Sequence, residues 1–239
     1  MRGVHLKSGW LLMLLTAWAA VPPSAAAGAT ATIAGKVSYE GAAPAAEKIK
    51  MAADPVCQQQ HAEPVTAQDL VVHSGALQNV AVYVKEGVQG PAAPSKEPVV
   101  LDQQGCLYHP HVFAIQVGQP LEIRNSDPTL HNINAQPKAN KRFNVAQPTK
   151  GMKTVKTFEK AELPVPFKCN VHPWMTAYGI VLDHPYFGVS DESGAFKLRN
   201  LPAGTYTLEA WHERLGTRTQ KVTVADGETK QVQFTFKAQ

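Results

Sequence analysis

The chain has 239 residues, 23 lysines and arginines against 19 aspartates and glutamates, and a formal net charge of +4. Charged residues make up 18% and apolar residues 44%, which excludes an intrinsically disordered chain and a nucleic-acid-coating protein, since both need a far larger charge imbalance. A polytopic membrane protein is excluded too, because a single stretch, near the N-terminus, is long and apolar enough to consider.

The first element is a targeting segment. Residues 1–7 carry Arg2 and Lys7 and no acid, residues 10–21 are apolar (WLLMLLTAWAAV), and small residues follow Pro22 and Pro23. A basic start, a short apolar run and an A-x-A ending predict a signal peptide over residues 1–27, cleaved near Ala27. The run is too short to span a bilayer, so the mature chain is expected to have no membrane span and to be periplasmic or secreted. Removing Arg2 and Lys7 leaves 21 basic groups against 19 acidic ones, so the basic balance identifies no partner and no nucleic-acid function.

Strand patterns dominate the rest. Residues 32–41, 77–87, 111–127, 176–183, 205–213 and 220–236 alternate apolar with polar side chains and are rich in β-branched and aromatic residues. VGQP, ADGE, LPAG and DESG are turn signals between them. Residues 45–60 could hold one short helix, which Pro55 limits. The prediction is an all-β chain of sandwich type. PAAPSKEP at 91–98 reads as a proline-rich linker. The expected organisation is an N-terminal β segment at 28–97, a central domain at 98–184 and a C-terminal segment at 185–239. The last is marginal for an independent core and is expected to pack with the N-terminal segment.

The residues that carry chemistry lie in FKCNVHPWMTAYGIV, where Cys169, His172 and Met175 are spaced C-x-x-H-x-x-M ahead of a strand. His131 lies 38 residues before Cys169, after a strand and a turn in NSDPTLHNIN. Each has a plainer reading: Cys169 as a structural or disulfide thiol, His172 as a loop histidine, Met175 as core. Together they make a soft donor set of thiolate, two imidazoles and a thioether. That set selects copper and describes a type 1 site, a His-His-Cys plane with a weak axial Met. Zinc is the competitor for Cys and His, but it gains little from a thioether.

At these residues the chain resembles the cupredoxins, and the short C-x-x-H-x-x-M loop resembles that of amicyanin. VVLDQQGCLYHPHVFAIQVGQPLEIRNSD is similar to the plastocyanin-like opening. The resemblance covers residues 99–183. It implies a Greek-key β-sandwich holding one type 1 copper at one end, one-electron transfer, His172 at an exposed edge, and a supporting role for Asn132 in tying the ligand loops together. YFGVSDESGAFKLRNLPAGTYTLEAWHERLG resembles carboxypeptidase regulatory-like domains, through Asp191, Gly194, Phe196 and Leu198 and then Leu201, Pro202, Gly204, Tyr206 and Leu208. IAGKVSYEGAAP resembles the first strand of that fold, so the copper domain is expected to be inserted into a split, smaller sandwich.

The expected function is an exported electron carrier, not an enzyme, with a redox partner such as a c-type cytochrome or a periplasmic dehydrogenase. The alternative is an envelope copper-handling protein. His109 and His111 form a weak second metal candidate, expected to be solvated. Trp211, His212 and Glu213 are expected at the surface, and Lys138, Lys141 and Arg142 form a small basic cluster. Cys57 and Cys106 lie outside the ligand pattern and, in an oxidising compartment, are expected to pair. That leaves Cys169 as the thiolate.

Overall fold

A computed structural model describes residues 1, 3, 30–90 and 92–238. Apart from Met1 and Gly3, the expected signal peptide lies outside the described residues. In chain order the elements begin with β1 (Ala31–Glu40), α1 (Pro55–Gln59), β2 (Val72–His73), β3 (Ala76–Leu77) and β4 (Ala81–Glu86). The central strands are β5 (Val99–Gln104), β6 (Leu107–His109), β7 (Val112–Gln116), β8 (Leu121–Asn125), β9 (His131–Ala135), β10 (Phe143–Gln147), β11 (Lys153–Lys156), β12 (Glu162–Lys168) and β13 (Thr176–Leu182). The chain closes with β14 (Phe187–Val189), β15 (Ala195–Leu201), β16 (Gly204–His212), β17 (Gly216–Val224) and β18 (Thr229–Lys237). The chain is all-β, as its alternation predicts.

The strands form four sheets that stack in layers. The first holds β1, β2, β3, β15 and β18, the second β14-β4-β16-β17, the third β10-β9-β12-β13-β7 and the fourth β11-β8-β5-β6. β1 pairs antiparallel with β15 and parallel with β18, joining the start of the described chain to its end. Ile33, Val37, Leu77, Val82, Val84, Leu198, Leu208, Phe234 and Phe236 fill the space between the first two sheets. Leu101, Phe113, Ile115, Leu121, Ile123, Ile133, Val165, Phe167 and Val181 fill the space between the last two. A fully buried aliphatic side chain contributes about 1.5–3 kcal/mol, so each pair of sheets has its own core.

A third apolar cluster joins the two sandwiches. Ala81 and Tyr83 of β4 meet Val112 and Ala114 of β7 and Ile180 and Leu182 of β13, with Phe187 and Trp211 beside them. Successive strand residues point to opposite faces. β4 therefore sends Val82 and Val84 into one core and Ala81 and Tyr83 into the joint. Strands covered on both faces read as apolar runs (VAVYV, VFAI), not alternations.

The N-terminal segment divides between the two bodies. β1 to β4 belong to the smaller sandwich, but residues 48–66 form a strap across one end of the central sandwich. Lys48 bridges Thr66, and Ile49 N–H donates to the Val65 carbonyl at 2.9 Å. At its tip Asp54 caps α1, accepting from Val56 N–H at 2.9 Å, and Pro55 occupies the first turn, where its missing N–H has no intrahelical partner to lose. Pro55 thus starts the helix that the sequence expected it to limit. Met51 and Cys57 of the strap are buried in the central core. Cys57 is disulfide-bonded to Cys106, with Cα atoms 5.5 Å apart.

Candidate metal centre

β9 opens on His131, β12 runs up to Cys169, and β13 begins just past Met175. Antiparallel pairing of Phe167 with Ala135 and of Lys168 with Asn134 brings the two strand ends level. Between β12 and β13 the chain closes on itself: Cys169 N–H donates to the Met175 carbonyl at 3.1 Å and Met175 N–H to the His172 carbonyl at 2.9 Å. His172 N–H points at the Cys169 sulfur, 3.4 Å away. The three-residue spacing of ligands therefore becomes a tight loop.

Within it His131 Nδ1 lies 2.9 Å from His172 Nδ1, and Cys169 Sγ lies 3.9 Å from His172 Nδ1. The donor atoms of His131, Cys169 and His172 all lie within 4.8 Å of one another. Met175 is fully buried in the same core cluster as Cys169. All four ligand candidates are thus gathered at one end of the central sandwich. Among the described residues Cys169 is the free cysteine.

Each imidazole is anchored through its other nitrogen. Asp127 Oδ2 lies 2.8 Å from His131 Nε2, and the Asp127 carboxylate also accepts from Gly105 and Cys106 N–H at 2.8 Å each. Those donors sit in the two-residue turn between β5 and β6, where Gly105 and Cys106 have φ of +61° and +55°. Positive φ at both central residues is the geometry of a tight hairpin turn, and it aims both N–H groups at the carboxylate. Asp54 Oδ2 lies 2.9 Å from His172 Nε2. A carboxylate on the outer nitrogen holds the remaining proton there once Nδ1 gives up its own to bind a metal. Sequence reasoning missed both carboxylates. Asp127 had a faint signal, four residues before His131 in DPTLH; Asp54 had only its place before a proline.

The electrostatics favour a thiolate. Burial pushes the Cys169 thiol up, but hydrogen bonds from His131 and His172 outweigh it and bring it down to about 5. Burial pushes His131 and His172 down. Bonds to Asp127 and Cys169 raise the first, and bonds to Cys169 and Asp54 raise the second, so both end above the ordinary imidazole value. Burial raises Asp127, yet His131 and the two turn N–H groups hold it below the usual carboxylate value.

Asn132 links the loops. Its Oδ1 accepts from Asn170 N–H at 2.7 Å and lies 3.4 Å from the Cys169 sulfur, while its Nδ2 donates to Asn144 Oδ1 at 2.6 Å.

Three expectations are corrected. His172 is 2% exposed and sits under the strap, in contact with Asp54 and with Cys57 Sγ at 3.5 Å, not at an open edge. The strap, read as part of the smaller sandwich, covers that edge instead. His111 is buried: its Nδ1 faces the Thr176 carbonyl at 3.1 Å and its Nε2 pairs with Glu213. His109 is exposed, so the two do not converge. His212 is buried, and burial, followed by the nearby charges of His111 and Arg214, lowers it to about 4. Lys138, Lys141 and Arg142 are exposed, and Trp174 Nε1 donates to the Cys106 carbonyl at 3.0 Å.

Residues 182–237 match the carboxypeptidase regulatory-like domain. A search of curated proteins returns no match. Among solved structures, the chain is similar to the Cu-containing nitrite reductase from Thermus scotoductus SA-01, with 22% identity over 41% of this chain and 25% of that one, at a TM-score of 0.35. It is similar to the purple cupredoxin from Nitrosopumilus maritimus, with 22% identity over 35% of this chain and 97% of that one, at a TM-score of 0.30. A reduced amicyanin mutant gives 19% identity over 42% of this chain and 97% of that one, at a TM-score of 0.32. The chain thus spans about a quarter of the nitrite reductase and nearly all of the two smaller proteins.

Proposed function

We propose that this chain is an exported carrier of single electrons that holds one type 1 copper through His131, Cys169, His172 and Met175. The observation that carries the reading is the buried convergence of two imidazole Nδ1 atoms and one thiol within 4.8 Å, each imidazole backed by a carboxylate. This donor set fits copper: thiolate and thioether are soft, imidazole suits the metal, and the low Cys169 value means that the sulfur itself has no proton to lose at neutral pH. Bound copper would supply a one-electron couple. Cys169 and the two histidines hold the plane, Asp127 and Asp54 fix the imidazole orientations, and Asn132 holds Cys169 in register with β9. The apolar core around Phe167 keeps water from the site.

The partner expected is a soluble redox protein of the envelope or extracellular space, such as a c-type cytochrome or a periplasmic dehydrogenase. We read the chain as a carrier and not an enzyme, because His109 and His111 offer no second metal centre: both His111 nitrogens already face acceptors. The test is purified protein loaded with copper, which should hold one metal per chain and show the intense visible band of a thiolate–copper bond. Cys169→Ala should abolish that band and weaken copper binding by orders of magnitude. Retention of both would overturn the reading.

One observation favours a second reading. The strap buries His172, which hinders close approach of a partner along the imidazole and suits copper handling. A carrier gives a reversible potential with fast self-exchange; a handling protein releases Cu(I) to a competing chelator without fast exchange.

A further inference from the structure

The Cys57–Cys106 disulfide is built against the metal centre. Cys57 Sγ lies 3.5 Å from His172 Nε2. The sulfurs of Cys57 and Cys106 and a nitrogen of His172 all fall within 4.8 Å of one another, and all three residues are buried. His172 therefore stands between two donor groups: Nδ1 faces His131 and Cys169, while Nε2 faces Asp54 and the disulfide. As a disulfide the two sulfurs are poor ligands. As thiolates they are the donors that select Cu(I).

We propose that reduction of Cys57–Cys106 creates a second soft-metal site, in which the two thiolates take Cu(I) beside His172, whose Nε2 keeps its proton on Asp54. The reductant is a dithiol. It passes two electrons and two protons to the S–S bond, which breaks to give two thiols, and it becomes a disulfide itself. Each thiol then releases its proton as it takes the metal. The strap provides the opening. It is held to the central sandwich by the disulfide and Met51, and open cavities of about 460 Å³ and 440 Å³ flank it, one lined by Glu47, Lys50 and Trp174 and the other by Met51, Gln58 and His61. Neither cavity reaches the sulfurs, which are fully buried, so a dithiol meets the bond only when the strap lifts from this flank.

The site is distinct from the type 1 reading, and Cys169→Ser separates the two. Full-length mature chain is titrated anaerobically with Cu(I) held by a chromophoric chelator, before and after phosphine reduction, with alkylation and mass measurement to count free thiols. Reduction is expected to double the Cu(I) bound by the wild type, from one equivalent to two. Cys169→Ser should go from none to one, and Cys57→Ser/Cys106→Ser should show no gain. If the type 1 reading alone fails, the oxidised wild type binds none while reduced Cys169→Ser still binds one. The proposal is overturned if fully reduced Cys169→Ser binds no Cu(I), if the double variant gains a metal on phosphine treatment, or if the disulfide opens only with loss of the near-ultraviolet circular dichroism of the folded chain.

Discussion

Cys169 lies between two imidazoles whose outer nitrogens face carboxylates, and this arrangement decides its charge. A thiol buried without partners would ionise above its ordinary value, but His131 and His172 reverse that and bring it to about 5. The sign follows: the folded, metal-free chain holds a thiolate at neutral pH and protonates it as pH falls through about 5. An unfolded chain, near the ordinary value of 9.0, is already protonated there. The folded state thus binds fewer protons over that window, and the contribution to stability is lost on acidification. Thiolate absorbance in the far ultraviolet should vanish around pH 5 in the metal-free protein and be absent at every pH in Cys169→Ser. A midpoint near the ordinary thiol value would show that the imidazoles do not act on the sulfur.

The strap is the element that most changes the site. α1 is only five residues long, too short to persist without tertiary support, and it is held by the Asp54 cap, the disulfide and the burial of Met51. Asp54 has two tasks, accepting from Val56 and Cys57 N–H through Oδ1 and facing His172 Nε2 through Oδ2. Asp54→Ala should therefore cost about 1 kcal/mol for the lost cap and leave His172 Nε2 without its carboxylate. Removing such an outer partner lowers metal affinity about 10- to 100-fold, readable by chelator competition, whereas a cap alone would leave affinity unchanged.

The ligand loop was legible in the sequence because its spacing is local: Cys169, His172 and Met175 lie within one turn between two strands. β1, β16 and β18 were legible because one face of each alternates. β4, β7 and the end of β13 are apolar runs, since both of their faces are covered. Asp127 had only a faint local signal, and Asp54 and the cover over His172 were not legible. Those two depend on where a distant segment lands, and nothing in residues 48–66 states that it crosses the central sandwich.

At the scale of the whole molecule, the two sandwiches are joined by packing as well as by chain. Ala81 and Tyr83 on one side meet Val112, Ala114, Ile180 and Leu182 on the other. Tyr178 stands edge-on to Trp211, with centroids 5.5 Å apart, and His111 pairs with Glu213 across the same joint. Apolar burial of this kind couples the unfolding of its two sides, so the chain should melt in one calorimetric transition. Ala114 is the place to break that coupling, since its side chain points into the joint while its neighbours Phe113 and Ile115 point into the central core. Ala114→Arg forces an unpaired charge into the joint at a cost of several kcal/mol, with no atom removed from the ligand set. The expected result is two separate transitions, with the copper-dependent visible band retained. A single transition lowered as a whole, with the band lost, would mean that the central sandwich cannot stand without its neighbour, and that the smaller body is part of what holds the metal centre together.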